Sequence, residues 1–268
     1  MHGLARPARC YHRRMPLRLG IVTDIHYGQD TSMVLGSAAP DALRRCLDGL
    51  RAWEPDVLVD LGDRLSDETP DVDLPRLRTL ADLFGASGMR REHLRGNHDA
   101  LSPAVHEELL GGPVTSRSGD VGGWHLVFLD TYDGSIGGVL TDATLAWFDA
   151  DLAATSLPTV VFSHQPLDGQ PLIGNPVFEV EYAAHAHPSG HERARQIMAS
   201  SGRVRLAVNG HTHWNHHVVV GGVAHLTVQS LVARTATGVA TGSYAVVELD
   251  DRSHRVRVFG GEPFERRG

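Results

Sequence analysis

The chain has 268 residues, 41% hydrophobic and 21% charged, a balance that excludes disordered, collagen-like and disulfide-dense classes and fits one packed domain. All 25 basic residues are arginine, and against 32 acids they leave a formal charge of −7, which disfavours long DNA or RNA as a partner. No apolar run approaches the ~20 residues of a membrane-spanning helix, and two cysteines, Cys10 and Cys46, are too few for a disulfide framework, so the expectation is a cytoplasmic protein without a membrane partner.

Residues 1–15 carry Arg6, Arg9, Arg13 and Arg14 but lack the apolar region and cleavage site of an export signal. They are expected to be a disordered extension, with Met15 as the true start and 16–268 as a single domain. Residues 17–23 (LRLGIVT) read as a buried strand that breaks into a polar loop at Asp24. Asp41 is expected to cap a helix with Leu43, Leu47 and Leu50 on one face, closed by Pro55 before a strand at 57–61. A second helix, lined by Leu74, Leu77, Ala81 and Phe84, leads to a short strand at 92–95, which makes a βαβαβ beginning. Strands at 124–129 and 159–163 flank a helix capped by Thr141, with Leu145, Phe148 and Leu152 on one side. A helix at 191–201 leads to a strand at 204–209, and 218–220, 224–228, 244–249 and 255–259 read as hairpin strands. Crossovers early and hairpins late imply a mixed α/β fold. The apolar strands of the tail offer an edge for a homo-oligomer.

Five polar clusters share one vocabulary of Asp, His and Asn, and each lies just past the carboxyl end of an expected strand, where ligand sites in α/β sheets gather. They are Asp24-Ile25-His26, Gly62-Asp63, Gly96-Asn97-His98-Asp99, Ser163-His164 and Gly210-His211-Thr212-His213. On an extended segment the i, i+2 spacing of Asp24 and His26 sends both side chains to one face, where they could grip one ion, and His211 and His213 repeat the spacing. Gly62 and Gly210 permit positive φ and leave no side chain beside the ligands. Mixed nitrogen and oxygen donors suit Mn, Fe, Zn or Co rather than Ca or Mg alone, and one ion does not use them all.

The ordered set from Asp24 to His213 resembles the signature of the calcineurin-like metallophosphoesterases, and its closest pattern is that of bacterial class III cyclic-nucleotide phosphodiesterases. The resemblance implies a four-layer α/β sandwich, two mixed β-sheets flanked by helices. It implies two metal ions per chain, one held by Asp24, His26, Asp63 and His213 and the other by Asp63, Asn97, His164 and His211, with Asp63 bridging. A hydroxide shared by the ions would attack a phosphodiester of a small phosphorylated substrate such as a cyclic nucleotide. His98, not a ligand, would protonate the leaving oxygen. Phosphomonoester hydrolysis on the same metal core is the alternative, followed by a non-catalytic scaffold, and short oligonucleotides stay open as substrates.

Many members of the resembled family carry a carboxylate where this chain has Ser66, so Asp67 or Asp99 is expected to orient His98, or the histidine lacks such a partner. Arg64 is offered for the substrate phosphate, beside Asn97 and His98, against the commoner role of an arginine near acids as a structural ion pair. Residues 167–192 are expected to form a cap-like insert whose His185, His187 and His191 serve recognition or surface rather than a third metal. Asp130 and Thr131 are assigned to the surroundings of the ligands or to a turn, His216 and His217 to a hairpin, and Cys46 to the core.

Overall fold

The computed structural model describes residues 15–268 apart from Pro176 and Arg252; residues 1–14 of the expected extension, with Cys10, lie outside the described residues. Strands form where β-branched and leucine residues run unbroken. β1 (Leu17–Val22) pairs in parallel with β2 (Val57–Asp60), and β2 with β3 (Arg91–His93), through the crossover helices α1 (Ala39–Arg51) and α2 (Pro70–Ala86). There follow α3 (Pro103–Leu110), β4 (Arg117–Val121), β5 (Trp124–Leu129), α4 (Asp142–Ala154), β6 (Thr159–Ser163), α5 (His191–Ser201) and β7 (Val204–Asn209). The chain ends in β8 (His216–Val220), β9 (Val223–Thr227), β10 (Tyr244–Asp250), β11 (Ser253–Phe259) and β12 (Phe264–Arg267).

Two six-stranded sheets result, ordered β12-β11-β10-β1-β2-β3 and β4-β5-β6-β7-β9-β8. Both are mixed: β10 joins β1 antiparallel, and β7 joins β9 in parallel while β8 closes a hairpin on β9. Because side chains alternate along a strand, each sheet has two apolar faces. Leu19, Ile21, Val59, Phe128, Phe162 and Val208 fill the space between the sheets. Leu58 and Val246 face outward onto α1 and α2, and Val127, Val161 and Ala207 face α4 and α5. The architecture is therefore the expected helix, sheet, sheet, helix sandwich.

Local departures have identifiable causes. Helix α1 starts at Ala39 with Pro40 in its first turn, so Asp41 lies inside the helix, paired with Arg44, and is not the cap. In α2 the buried stripe takes Leu80 rather than Leu74, which stays half-buried. Thr141 does cap α4, its hydroxyl accepting from the Thr144 N–H at 3.1 Å. Cys46 lies on the buried face of α1, and burial raises its thiol pKa. Between β6 and α5 the chain forms loops and one short 3-10 turn, Ala183–His185, around a small apolar cluster of Leu172, Phe178 and Ala186 against Tyr182 and Trp214. None of the described helices is long and apolar enough to cross a membrane.

Candidate metal centre

Asp24, Asp63, Asn97, His164 and His211 each sit one to four residues past the ends of β1, β2, β3, β6 and β7, so the parallel strands deliver them to one edge of the sandwich. The backbone there is not extended, contrary to the expectation for Asp24 and His26. Asp24, His26, Asp63, His211 and His213 have φ of +52°, +45°, +53°, +69° and +53°. A left-handed conformation costs an L-residue about 1–2 kcal/mol, and here it turns successive side chains inward. The loops hold the strain by bonding each other: the Asp24 and His26 N–H groups donate to Gly62 O at 3.0 Å and Asp63 O at 2.9 Å. Gly62 needs its φ of +102°, whereas Gly210 does not take positive φ; it is required because a Cβ there would lie 2.1 Å from Thr23 Oγ1 and 2.3 Å from Asp24 Oδ2.

The donor atoms converge in two separate groups, Asp24 with His26 and His213, and Asp63 with His164 and His211, and a third, His26 with Asp63 and His98, shares a residue with each. Asp24 Oδ2 accepts from Thr23 Oγ1 at 2.6 Å and from the His211 N–H at 2.9 Å. Its Oδ1 is buried without a hydrogen bond, 3.2 Å from His213 Nε2 and 3.7 Å from His26 Nε2. The two imidazole Nε2 atoms are 2.9 Å apart. Asp63 Oδ2 lies 3.7 Å from His26 Nε2 and 3.2 Å from His164 Nε2, so it faces both groups. Ligand atoms about 2.0–2.2 Å from one ion stand roughly 3–3.5 Å from one another, which is the spacing found here.

The outer contacts fix which lone pairs point inward. His164 Nδ1 donates to Leu61 O at 3.0 Å, leaving Nε2 to face Asp63 and, at 3.2 Å, Asn97 Oδ1. His211 Nε2 donates to His185 O at 2.9 Å, leaving Nδ1 as its free lone pair. Oxygen and nitrogen lone pairs crowded this closely repel unless a cation lies among them. A proton takes that part on His164: burial alone would lower its pKa, but the Asp63 carboxylate outweighs burial and raises it to about 9. Asp63 moves the other way, its burial outweighed by the His164 charge, and is held well below the carboxylate range. His211 is pushed down to about 3, first by burial and then by the His164 charge. A buried, orphaned carboxylate oxygen and a histidine of raised basicity fit a site for cations.

Beneath the loops Asp99 does structural work. Its Oδ2 accepts from the N–H groups of Asp63 and Gly96 at 3.0 Å each and from Arg64 Nη1 at 2.5 Å, and its Oδ1 accepts from the Arg64 N–H at 3.1 Å. Arg64 is fully buried, with Nε 2.9 Å from Asp60 Oδ2 and Nη2 donating to Leu94 O at 2.6 Å. The guanidinium is thus an ion-pair partner turned away from the cleft, and the assignment of Arg64 to the substrate phosphate is corrected. Ser66 Oγ donates to His26 O at 3.0 Å. His98 is held by its N–H on Asp63 Oδ1 at 2.8 Å and by its ring edge on His26, and its Nδ1 is buried without a hydrogen-bond partner, so neither Asp67 nor Asp99 orients it through that nitrogen.

In front of these groups lies a cavity of about 210 Å³, lined by Asp63, Asn97, His98, His211 and His213 on the polar side and by Met33, Ile136, Val177, Phe178 and Tyr182 on the other. The apolar lining was not singled out in the sequence, because scattered loop hydrophobics carry no period. The segment at 167–192 supplies three of these residues and the His185 carbonyl. His187 bonds Pro166 O and Gln170 O, and His191 bonds Pro188 O; among the described residues, His185, His187 and His191 form no convergent ligand group. Asp130 pairs with Arg95 at 2.5 Å, Thr131 bonds Gln165, and His216 and His217 lie on the β8–β9 hairpin.

The calcineurin-like phosphoesterase pattern matches residues 17–215, a stretch running from β1 past the last of the converging side chains. The chain belongs to the calcineurin-like phosphoesterase family. Members of this family typically hold a dinuclear metal site. A relative from Synechococcus sp., a probable cyclic nucleotide phosphodiesterase, is 28% identical over 205 residues, 74% of this chain and 74% of its own. Among solved structures, a dimetal phosphatase from Danio rerio aligns with a TM-score of 0.76 at 17% identity, over 93% of this chain and 98% of its own. A purple acid phosphatase from yellow lupin seeds aligns with a TM-score of 0.63 at 13% identity, over 93% of this chain and 53% of its own. At those identities the structural likeness is one of fold.

Proposed function

We propose that this phosphoesterase is a binuclear metal-dependent hydrolase that cleaves a phosphodiester bond of a small substrate, with a cyclic nucleotide as the natural class. The observation that carries the reading is the position of Asp63 Oδ2 between the two donor groups. In this reading Asp24, His26, Asp63 and His213 hold one ion and Asp63, Asn97, His164 and His211 the other, drawn from Mn, Fe, Zn and Co by the mixed donors. Ions bound there supply an acidified water and neutralise the phosphate oxygens.

The chain's own residues do the rest. Leu61 O and His185 O lock the tautomers of His164 and His211. Asn97 presents Oδ1 beside His164 and lines the cavity with His98, whose imidazole N–H delivers the proton to the leaving oxygen. The phosphodiester preference is supported by the name of the Synechococcus relative and by a cavity whose lining, among the described residues, includes no arginine to grip a dianionic monoester.

The test is hydrolysis of bis-p-nitrophenyl phosphate beside p-nitrophenyl phosphate by the Mn-reconstituted protein, with Asp63→Asn in parallel. The diester is expected to be preferred and both rates to vanish in the variant. Preference for the monoester makes the protein a phosphatase, and Asp63→Asn rates like wild type would remove the bridging role.

A further inference from the structure

The two walls of the cavity differ in kind. The inner wall carries the polar side chains, whereas the outer wall is Met33, Ile136, Val177, Phe178 and Tyr182. Met33 and Ile136 are 43% and 49% exposed, apolar side chains left facing water at the mouth of a polar site. Among the described residues no arginine lines the cavity, and the chain has no lysine. The arginines beside the ligand loops are committed elsewhere, Arg64 to Asp60 and Asp99, and Arg95 to Asp130 and the face of Tyr132. Among the described residues a negatively charged group on a substrate's ester arm would find no cationic partner on this side.

The outer wall is also built, not loose. Asn175 is buried, and its Oδ1 accepts from the N–H groups of Val177 and Phe178 at 2.9 and 2.8 Å. Its Nδ2 donates to Thr212 O at 2.8 Å, inside the loop that carries His211 and His213. The Phe178 ring lies 4.9 Å from the His211 ring and 6.1 Å from that of Tyr182. One asparagine thus sets an aromatic wall at a fixed position relative to the donor atoms, which is how a site selects shape rather than merely tolerating it.

Resting on the phosphodiester reading above, we propose that Met33, Ile136, Val177, Phe178 and Tyr182 form a subsite for an uncharged aromatic ring carried by the esterified part of the substrate. The phosphate meets the donor cluster while a flat ring lies against Phe178 and Tyr182 and is covered by Met33 and Ile136. Burying a ring in place of a two-carbon arm favours the aromatic ester by about tenfold or more.

Calorimetric binding to the Mn-loaded protein, read in a window in which no alcohol or phenol is released, tests this with three diesters: diphenyl phosphate, diethyl phosphate and bis(4-carboxyphenyl) phosphate. Diphenyl phosphate is expected to bind at least about tenfold tighter than either of the others. In Tyr182→Ala and Ile136→Ala, both at partly exposed positions, its affinity falls towards that of diethyl phosphate. Equal affinities for the phenyl and ethyl esters in the wild type overturn the subsite, and equal affinities for the phenyl and carboxyphenyl esters overturn its requirement for an uncharged ring. Because binding is read without turnover, a protein that hydrolyses no diester yet shows the ratio refutes the phosphodiesterase reading and keeps the subsite.

Discussion

Two of the places where the protein brings Asp and His together differ in what their lone pairs do. On the edge of the second sheet, His125 Nδ1 lies 2.6 Å from Asp120 Oδ1 and Nε2 lies 2.8 Å from Asp151 Oδ2, while Ser118 Oγ donates to Asp151 Oδ1 at 2.7 Å. Asp120 and His125 are direct cross-strand partners, and Asp151 comes from α4, all on regular backbone. Both imidazole nitrogens are occupied, so this cluster is a finished hydrogen-bond network. At the other cluster Asp24 Oδ1 has no hydrogen bond, and five of the converging residues hold left-handed backbone. The same residue types stabilise in one place and wait for a cation in the other, and the difference is backbone conformation rather than composition.

The largest expected effect separates the clusters by activity. His211→Ala removes a proposed ligand whose other side-chain contacts are one hydrogen bond to His185 O and ring contacts with Phe178 and His164. Diester turnover is expected to fall about a thousandfold or more and metal content from two ions to one, measured by elemental analysis. The metal-free protein loses only about 1 kcal/mol of stability. His125→Gln leaves turnover alone. Wild-type-like turnover in His211→Ala would sink the assignment.

Next comes Arg64, the ion pair beneath the metal loops. Arg64→Met leaves the Asp60 and Asp99 carboxylates buried without their shared cation, and breaking such a pair costs about 3–5 kcal/mol. Urea unfolding should show that loss, and Arg64→Met with Asp99→Asn should recover part of it. An unchanged midpoint would mean that the loops do not depend on this pair.

The legible parts of the molecule are those whose residues carry a period or a run. β5, β6 and β7 are unbroken apolar segments and fall at the expected residues, and Thr141 caps its helix as its side-chain chemistry dictates. β4 (RSGDV) and β12 (FERR) leave no such signal because they are polar edge strands with one partner each. Helix α3 was passed over although Ser102, followed by Pro103, is an N-cap signal, its side chain accepting from the Val105 N–H. At the site, the Asp, His and Asn vocabulary was legible, but the direction of each lone pair was not. That direction depends on positive φ at His26 and Asp63, and on His185 O reaching His211 across 26 residues, and neither leaves a trace in the order of residue types. The burial of Arg64 was equally hidden, since its two carboxylate partners lie 4 and 35 positions away.

The smallest expected effect belongs to the finished cluster and concerns pH. Burial would lower the pKa of His125, but hydrogen bonds to Asp151 and then Asp120 outweigh it and raise the pKa above the ordinary 6.5. A folded-state pKa above the unfolded one means that the folded state holds the proton more tightly. The stabilisation is therefore fully present below about pH 6.5 and is lost as pH rises through the folded value. Above it the neutral ring can donate to only one of the two carboxylates. With Asp120 largely exposed, the contribution is modest, a few degrees in Tm. The Tm gap between wild type and His125→Gln, followed from mildly acidic to mildly alkaline buffer, should narrow as pH rises. Other histidines titrate equally in both proteins and cancel in the difference. A gap that stays constant would show that folding leaves the pKa of His125 unchanged, and one that widens would reverse the sign of its coupling to folding.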